Sequence, residues 1–302
     1  MTTTTTMSRH RKTGGVALAG LLLGAGAMTS VSAEERDLTI GINNWAENIA
    51  VANMWKLLLE EEHGYQVELN DAGKSVIFSG LANDDFDLSL EIWLPVTDKE
   101  FLAPYQDRID VHDGWYEGTG LGLVVPSYAD ISSIPELKAQ ADSFTYQGRP
   151  DIIGIDSGSA IAGLADQAIE AYELPMEQMN SSGPAMMAAL STAISQQRNL
   201  VVTLWSPHWA FAEYDLKYLE DPKGVFGDNE TIYWFSRQDF ANDDPWLTAV
   251  LDAWQMDDDS LGSLMARIEK TGDPEEGARD WIAENRELID GWFAKADAAT
   301  AE

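Results

Sequence analysis

Trp45, Trp93 and Trp205 each close an apolar run with strand character: DLTIGINNW, DFDLSLEIW and NLVVTLW. Such runs read as buried parallel strands, and the residues after each can start a helix or a turn. In open α/β sheets, ligands bind beyond the carboxyl ends of the strands. Three indoles delivered to that edge can wall a pocket. An indole face attracts cations, most of all those too bulky and too weakly hydrated to prefer water. The chemistry expected of these residues is capture of a quaternary ammonium group. Trp55, Trp254, Trp281 and Trp292 fall instead on helical stripes and are expected in the core.

A second element, IIGIDSGSA over residues 152–160, reads as strand, turn and helix start. Gly154, Gly158, Ser157 and Ser159 are small enough to let backbone approach a ligand. Ser157 or Ser159 can cap the helix, and the following N–H groups then point outward with the positive end of the helix dipole. That arrangement suits a carboxylate, although an ordinary capped turn would read the same way. The segment lacks the lysine of a phosphate loop and the spacing of a dinucleotide fingerprint. An aromatic cage together with an anion cradle implies a zwitterion.

Catalytic chemistry finds little support. Beyond the leader the histidines are His63, expected solvated at a helix end, His112, expected in a loop, and His208, expected to fix the turn after Pro207. No HExxH pair, nucleophile elbow or calcium-loop spacing occurs, and there is no cysteine for a thiolate or a disulfide. No catalytic residue, metal site or cofactor is assigned. Asp257, Asp258 and Asp259 read as the acidic start of a helix.

The elements that must position these residues alternate, which predicts α/β with mainly parallel sheets. DLTIGIN, YQVEL, FDLSLEIW, GLGLVVP, DIIGID, NLVVTLW and TIYWFS are the expected strands. Helices are expected near Glu47–Glu61, over SVIFSGLAND, Pro135–Asp142, Ala160–Tyr172 and Pro184–Arg198, and through the remainder after TIYWFS. The count suits two lobes: 34–120 plus 232–302, and 121–231. Crossings are placed near Gly120–Val125 and Asn229–Ile232.

Residues 1–33 read as a cleavable secretory signal. Arg9, His10, Arg11 and Lys12 form a basic head, Val16–Ala27 is a short apolar run, and Val31-Ser32-Ala33 is a small-residue cleavage site. A soluble, periplasmic, monomeric protein is expected. The chain carries 19 Lys+Arg against 51 Asp+Glu, a formal net charge of −32. Three of those bases and none of the acids lie in the leader, so the remainder is more acidic still. Such a surface repels nucleic acid and anionic lipid, and it suits salty, halophilic surroundings.

With these motifs in place, the chain resembles the substrate-binding proteins of glycine betaine, proline betaine and choline ABC transporters. GLVVPSYA, GIDSGSA and TLWSPHWAFAEYDLKYLEDPKGVFG carry the resemblance, with NNWAENIA and EIWLPVTDKEF in support. It spans nearly the whole chain after the leader and implies a type II periplasmic-binding fold that closes on its ligand and then meets a membrane permease and its ATPase. By motif, Trp45, Trp93 and Trp205 match the indoles that box the trimethylammonium, and Gly154 and Ile155 match backbone donors to the carboxylate. Many relatives carry a histidine five residues after the WLP tryptophan; here the residue is Asp98. Glu47 matches a position where choline-binding relatives use an acid to accept the hydroxyl. Glycine betaine stands first among the expected ligands, with choline, or a sensory role for a methylated amine, as the alternatives.

Overall fold

The structure, a computed structural model, describes residues 36–300. The leader and its cleavage site lie outside the described residues. All described residues belong to one compact unit. Its strands are β1 (Arg36–Ile42), β2 (Tyr65–Asp71), β3 (Leu88–Leu94), β4 (Ile109–Glu117), β5 (Gly120–Pro126), β6 (Thr145–Tyr146), β7 (Arg149–Gly154), β8 (Glu177–Asn180), β9 (Val201–Ser206), β10 (Leu216–Tyr218) and β11 (Thr231–Arg237).

The strands form two sheets. One has the order β2-β1-β3-β11-β4; the other runs β10-β5-β9-β7-β6, with β8 also paired to β7. The expectation of mainly parallel sheets needs correction. β1 pairs with β2 and β3, and β7 with β8 and β9, in parallel, but β11 runs antiparallel to β3 and β4, and β5 antiparallel to β9 and β10. The physical reason lies in the connections. Parallel neighbours need a helical crossover, whereas β4, β5 and β11 are the strands by which the chain changes sheet, and they enter from the opposite end. The chain leaves the first sheet through Gly118 and Thr119 and returns through residues 219–230. The two passages are bonded together: Thr119 N donates to Glu230 O at 3.2 Å, and Glu230 N to Thr119 Oγ1 at 3.0 Å.

The central strands are the most apolar. Every residue of β3 from Leu88 to Trp93 is buried, and so is every residue of β9 from Val201 to Trp205. The helix Ala46–His63 lays Ala50, Val51, Met54, Trp55 and Leu58 into the core beside β1. It stops at Gly64, whose φ of 74° is the left-handed conformation glycine adopts without penalty. The C-terminal part is helical as expected, over Pro245–Ala253, Asp258–Thr271, Pro274–Glu284 and Arg286–Thr300. Asp257 caps the second of these in a capping box with Ser260, and Trp281 and Trp292 are buried.

Two histidines differ from expectation. His112 lies in β4, not a loop: its ring stacks on Trp234 at 3.6 Å and its Nε2 sits 2.8 Å from Ser236 Oγ. His63 is not solvated but half-buried between Trp246 and Phe293, at 4.6 and 4.7 Å. Burial lowers its affinity for a proton. Among the described residues, no helix is long and apolar enough to cross a membrane.

Candidate functional site

Trp45, Trp93 and Trp205 line one cavity, together with Glu47, Thr97, Asp98, Leu121, Ile155, Ser159, Ala160 and Ile161. The lining comes from both sheets and the turns that leave them. Trp45 lies three residues beyond β1, at the cap position of the helix Ala46–His63. Trp93 and Trp205 are the penultimate residues of β3 and β9. The Trp45 and Trp205 rings stand 6.4 Å apart at 59°.

Each of the three indole N–H groups ends on a carboxylate. Trp93 Nε1 donates to Glu91 Oε1 at 2.7 Å, a contact that follows from their i, i+2 spacing on one face of β3. Trp205 Nε1 donates to Glu47 Oε2 at 2.7 Å, and Trp45 Nε1 to Asp156 Oδ2 at 3.2 Å. The last two bonds cross between the sheets in opposite senses. Hydrogen bonds of 2.7–3.2 Å from all three ring nitrogens fix how the rings stand.

Asp98 occupies the end of the turn after β3 and is buried at 1% exposure. Its Oδ2 accepts from Trp93 N at 2.8 Å, while Asp98 N donates back to Trp93 O at 2.9 Å. The same oxygen pairs with Lys74 Nζ at 2.9 Å. Lys74 opens the helix Lys74–Ala82, is equally buried, donates to Glu91 O at 3.1 Å and lies 4.8 Å from the centre of the Trp45 ring. Removing one member of such a buried pair typically costs about 3–5 kcal/mol, because the other charge is left uncompensated. The turn is also held by Glu230, which accepts from Val96 N, from Thr97 N at 3.0 Å and from Thr97 Oγ1.

The carboxyl groups here are hard to ionise. Burial, then the charge of Glu91, holds Glu47 well above the usual carboxylate range, although Trp205 pulls it back. Burial also raises Glu91 and Asp98, against the pull of the Lys74 ammonium. Glu47 Oε1 and Glu91 Oε2 are buried and have no hydrogen-bond partner. Glu47 is thereby held toward its protonated form. His208 packs edge-on against Trp205 at 5.0 Å, and its Nδ1 accepts from Ala210 N at 3.1 Å, fixing the turn after Pro207. Burial pushes it down to about 3, so it is neutral at ordinary pH.

The helix Ala160–Tyr172 presents its N-terminus to the cavity. Ser159 is its cap, with Oγ accepting from Ala162 N at 3.4 Å. Ala160 and Ile161, the first two helical residues, carry N–H groups that have no acceptor within the helix. Of the residues expected at this nest, Ile155 lines the cavity, but Gly154 and Ser157 do not. Ser157 is exposed. A Cβ at Gly154 would meet the end of the Gln178 side chain, with Oε1 at 2.6 Å, so that amide would have to shift. Its carbonyl accepts from Ser181 Oγ at 2.8 Å.

Glu91, Lys74 and Asp156 were not singled out from the sequence. Glu91 left one sign, an acid in the middle of the apolar run LSLEIWL. Lys74 left none, since a lysine at a helix start is normally a solvated residue. Asp156 sits inside the GIDSGS motif but reads as a turn former.

Comparison with known proteins supplies the family. Residues 36–284 match the OpuAC family model, described as the substrate binding domain of ABC-type glycine betaine transport systems. The glycine betaine/carnitine transport binding protein GbuC of Listeria monocytogenes is 36% identical over 144 residues, 47% of this chain and 48% of that protein. The chain therefore spans about half the length of that curated relative. The crystal structure of lactococcal OpuAC, closed and complexed with glycine betaine, superposes with a TM-score of 0.78 at 31% identity, covering 86% of this chain and all of that one. The ProX structure from Borrelia burgdorferi gives 0.79 at 33% identity, covering 85% and 96%. The fold and the matched length place this chain in the OpuAC family of substrate binding domains.

Proposed function

We propose that this protein is the substrate-binding component of an ABC transporter for a quaternary ammonium solute, with glycine betaine the first candidate. The observation that carries the reading is the convergence of Trp45, Trp93 and Trp205 on one cavity lined from both sheets. Each aromatic wall contributes roughly 0.5–2 kcal/mol toward a desolvated cation. Three walls and charge-assisted hydrogen bonds to a carboxylate bring the sum to about −8 kcal/mol, a micromolar affinity. In this reading Trp45, Trp93 and Trp205 box the trimethylammonium. Ile155 and the first N–H groups of the helix Ala160–Tyr172 receive the carboxylate, and Gly154 and Ser157 shape the turn behind them.

The two sheets are the cores of two lobes, 34–120 plus 232–302 and 121–231, which close over the ligand about the crossings. The closed form is what a permease and its ATPase engage. The protein acts as a periplasmic monomer, exported by the signal at 1–33, and performs no catalysis. A role in osmoprotection follows from the ligand class.

Choline is the second reading. It is favoured by Glu47, which lines the cavity with Oε1 free to accept a hydroxyl. Calorimetric titration with glycine betaine, proline betaine, choline and carnitine tests both. Glycine betaine binding in the micromolar range with choline silent supports the first; the reverse installs the second; no binding by any of the four ends the proposal.

A further inference from the structure

Asp98 sets a problem for a zwitterion. It is a carboxylate in the wall of the cavity, and an unpaired negative charge there would favour a simple cation and repel a ligand that carries its own carboxylate. The structure supplies an answer outside the motifs. Lys74 reaches Asp98 from the start of the helix Lys74–Ala82, with Nζ 2.9 Å from Oδ2 and both side chains no more than 2% exposed. A buried ammonium is rare and has to be compensated. Here it is held on one side by Asp98, on a second by the Glu91 carbonyl at 3.1 Å, and it lies 4.8 Å from the centre of the Trp45 indole, itself a wall of the cavity.

We propose that Lys74 is the residue that decides between a betaine and a choline: by pairing with Asp98 it makes that stretch of wall electrically neutral, so that the cavity admits a trimethylammonium compound bearing a carboxylate. This rests on the reading of the cavity as a quaternary ammonium site. Lys74 acts through Asp98 and is a positioning and charge-balancing residue.

The geometry favours this over a purely structural ion pair in two respects. The partner of Lys74 is a cavity-lining residue whose Oδ2 accepts from Trp93 N while its own N donates to Trp93 O. The other acid of the wall, Glu47, has no cation bonded to it and takes an indole N–H instead. The two wall carboxyls are thus balanced by different means, and only the balance at Asp98 can be removed by changing one lysine.

Glycine betaine and choline are suitable probes because both carry a trimethylammonium and differ in a carboxylate against a hydroxymethyl group. The quantity to read is the ratio of the choline Kd to the glycine betaine Kd, by calorimetry, in the wild type, Lys74→Met, Asp98→Asn and the double variant. Lys74→Met leaves Asp98 uncompensated, so the ratio should fall at least tenfold. Asp98→Asn leaves Lys74 uncompensated, so it should rise at least tenfold. The double variant removes both members of the pair and should stay within threefold of the wild type. A ratio unmoved in either single variant, or moved in the same direction by both, overturns the proposal. Should an unpaired charge prevent one single variant from folding, as a melting curve will show, the other single variant still decides, read against the double. If the pair is neutral in effect the double variant's ratio is preserved, and a tenfold change in either direction overturns the proposal. A wild type that binds neither probe ends the reading of the cavity itself, and is distinguishable from a wild type whose selectivity the substitutions leave untouched.

Discussion

The chain builds two tryptophan clusters, and they are made differently. In the core, Trp55, Trp115, Trp254 and Trp292 pack ring on ring: Trp115 stacks on Trp254 at 4.2 Å, Trp55 meets Trp254 edge-on at 5.5 Å, and Trp292 stands 6.0 Å from Trp55. Their polar edges are incidental. Trp115 donates to the Leu90 carbonyl, and the N–H groups of Trp55 and Trp254 have no partner. In the cavity wall, the rings stand farther apart and every N–H is tied to a carboxylate. Burial alone does not separate the groups: Trp45 is half-buried, but Trp93 and Trp205 are each only 3% exposed. The distinction lies in what holds the ring. Core indoles are held by their faces, which are consumed in packing. Wall indoles are held by their edges, which leaves faces for something else.

The largest effect that separates the clusters is on stability. Trp55→Ala removes a ring packed on all sides and should cost about 3–5 kcal/mol in urea unfolding; a loss below about 1 kcal/mol would mean that the core cluster is not the keystone described. Trp93→Ala should instead act on the ligand, weakening glycine betaine by about 1–2 kcal/mol, or roughly 5- to 30-fold, with a smaller loss of stability than Trp55→Ala. Equal affinity before and after would move Trp93 into the first cluster.

The tethers give a pH signature. Glu47 has its folded pKa raised above the ordinary carboxyl value of 4.5, so its contribution to stability is complete below that value and is lost as pH rises through the folded pKa. Glu47→Gln keeps an acceptor for Trp205 and removes the titration. The Tm of the wild type should therefore decline relative to the variant as pH is raised from about 5. Parallel melting curves from acid to neutral pH and beyond would show that Glu47 carries no such burden.

The smallest effect concerns neither cluster. At a net charge of −32 the surface repels itself, so added NaCl should raise Tm modestly, and by the same amount in Trp93→Ala as in the wild type. A flat or falling curve would refute the halophilic expectation.

Much of this was legible in the sequence because hydrophobic periodicity records burial directly. The helix Ala160–Tyr172 appears at its expected limits, and β3 and β9 overlap FDLSLEIW and NLVVTLW, starting two residues later and ending one later. β8 and β10 were missed: Glu177–Asn180 and Leu216–Tyr218 are short and half-exposed, and their pairing, not their composition, makes them strands. β4 was missed because IDVHDGWYE is too polar along its first half to read as a strand. The three wall indoles could be picked out because they follow strands. The Lys74–Asp98 pair could not, because it joins positions 24 apart whose contact depends on how a helix start folds over a turn.

The two crossed bonds, Trp45 to Asp156 and Trp205 to Glu47, have a further consequence. Both run from protein to protein, each half of the molecule lending an indole to an acid of the other. In the proposed two-lobe reading, parting the halves means surrendering both at once and hydrating an acid that prefers to stay dry. A receptor closing in the way proposed would carry part of its own latch, leaving an arriving solute to contribute only the remainder of the grip.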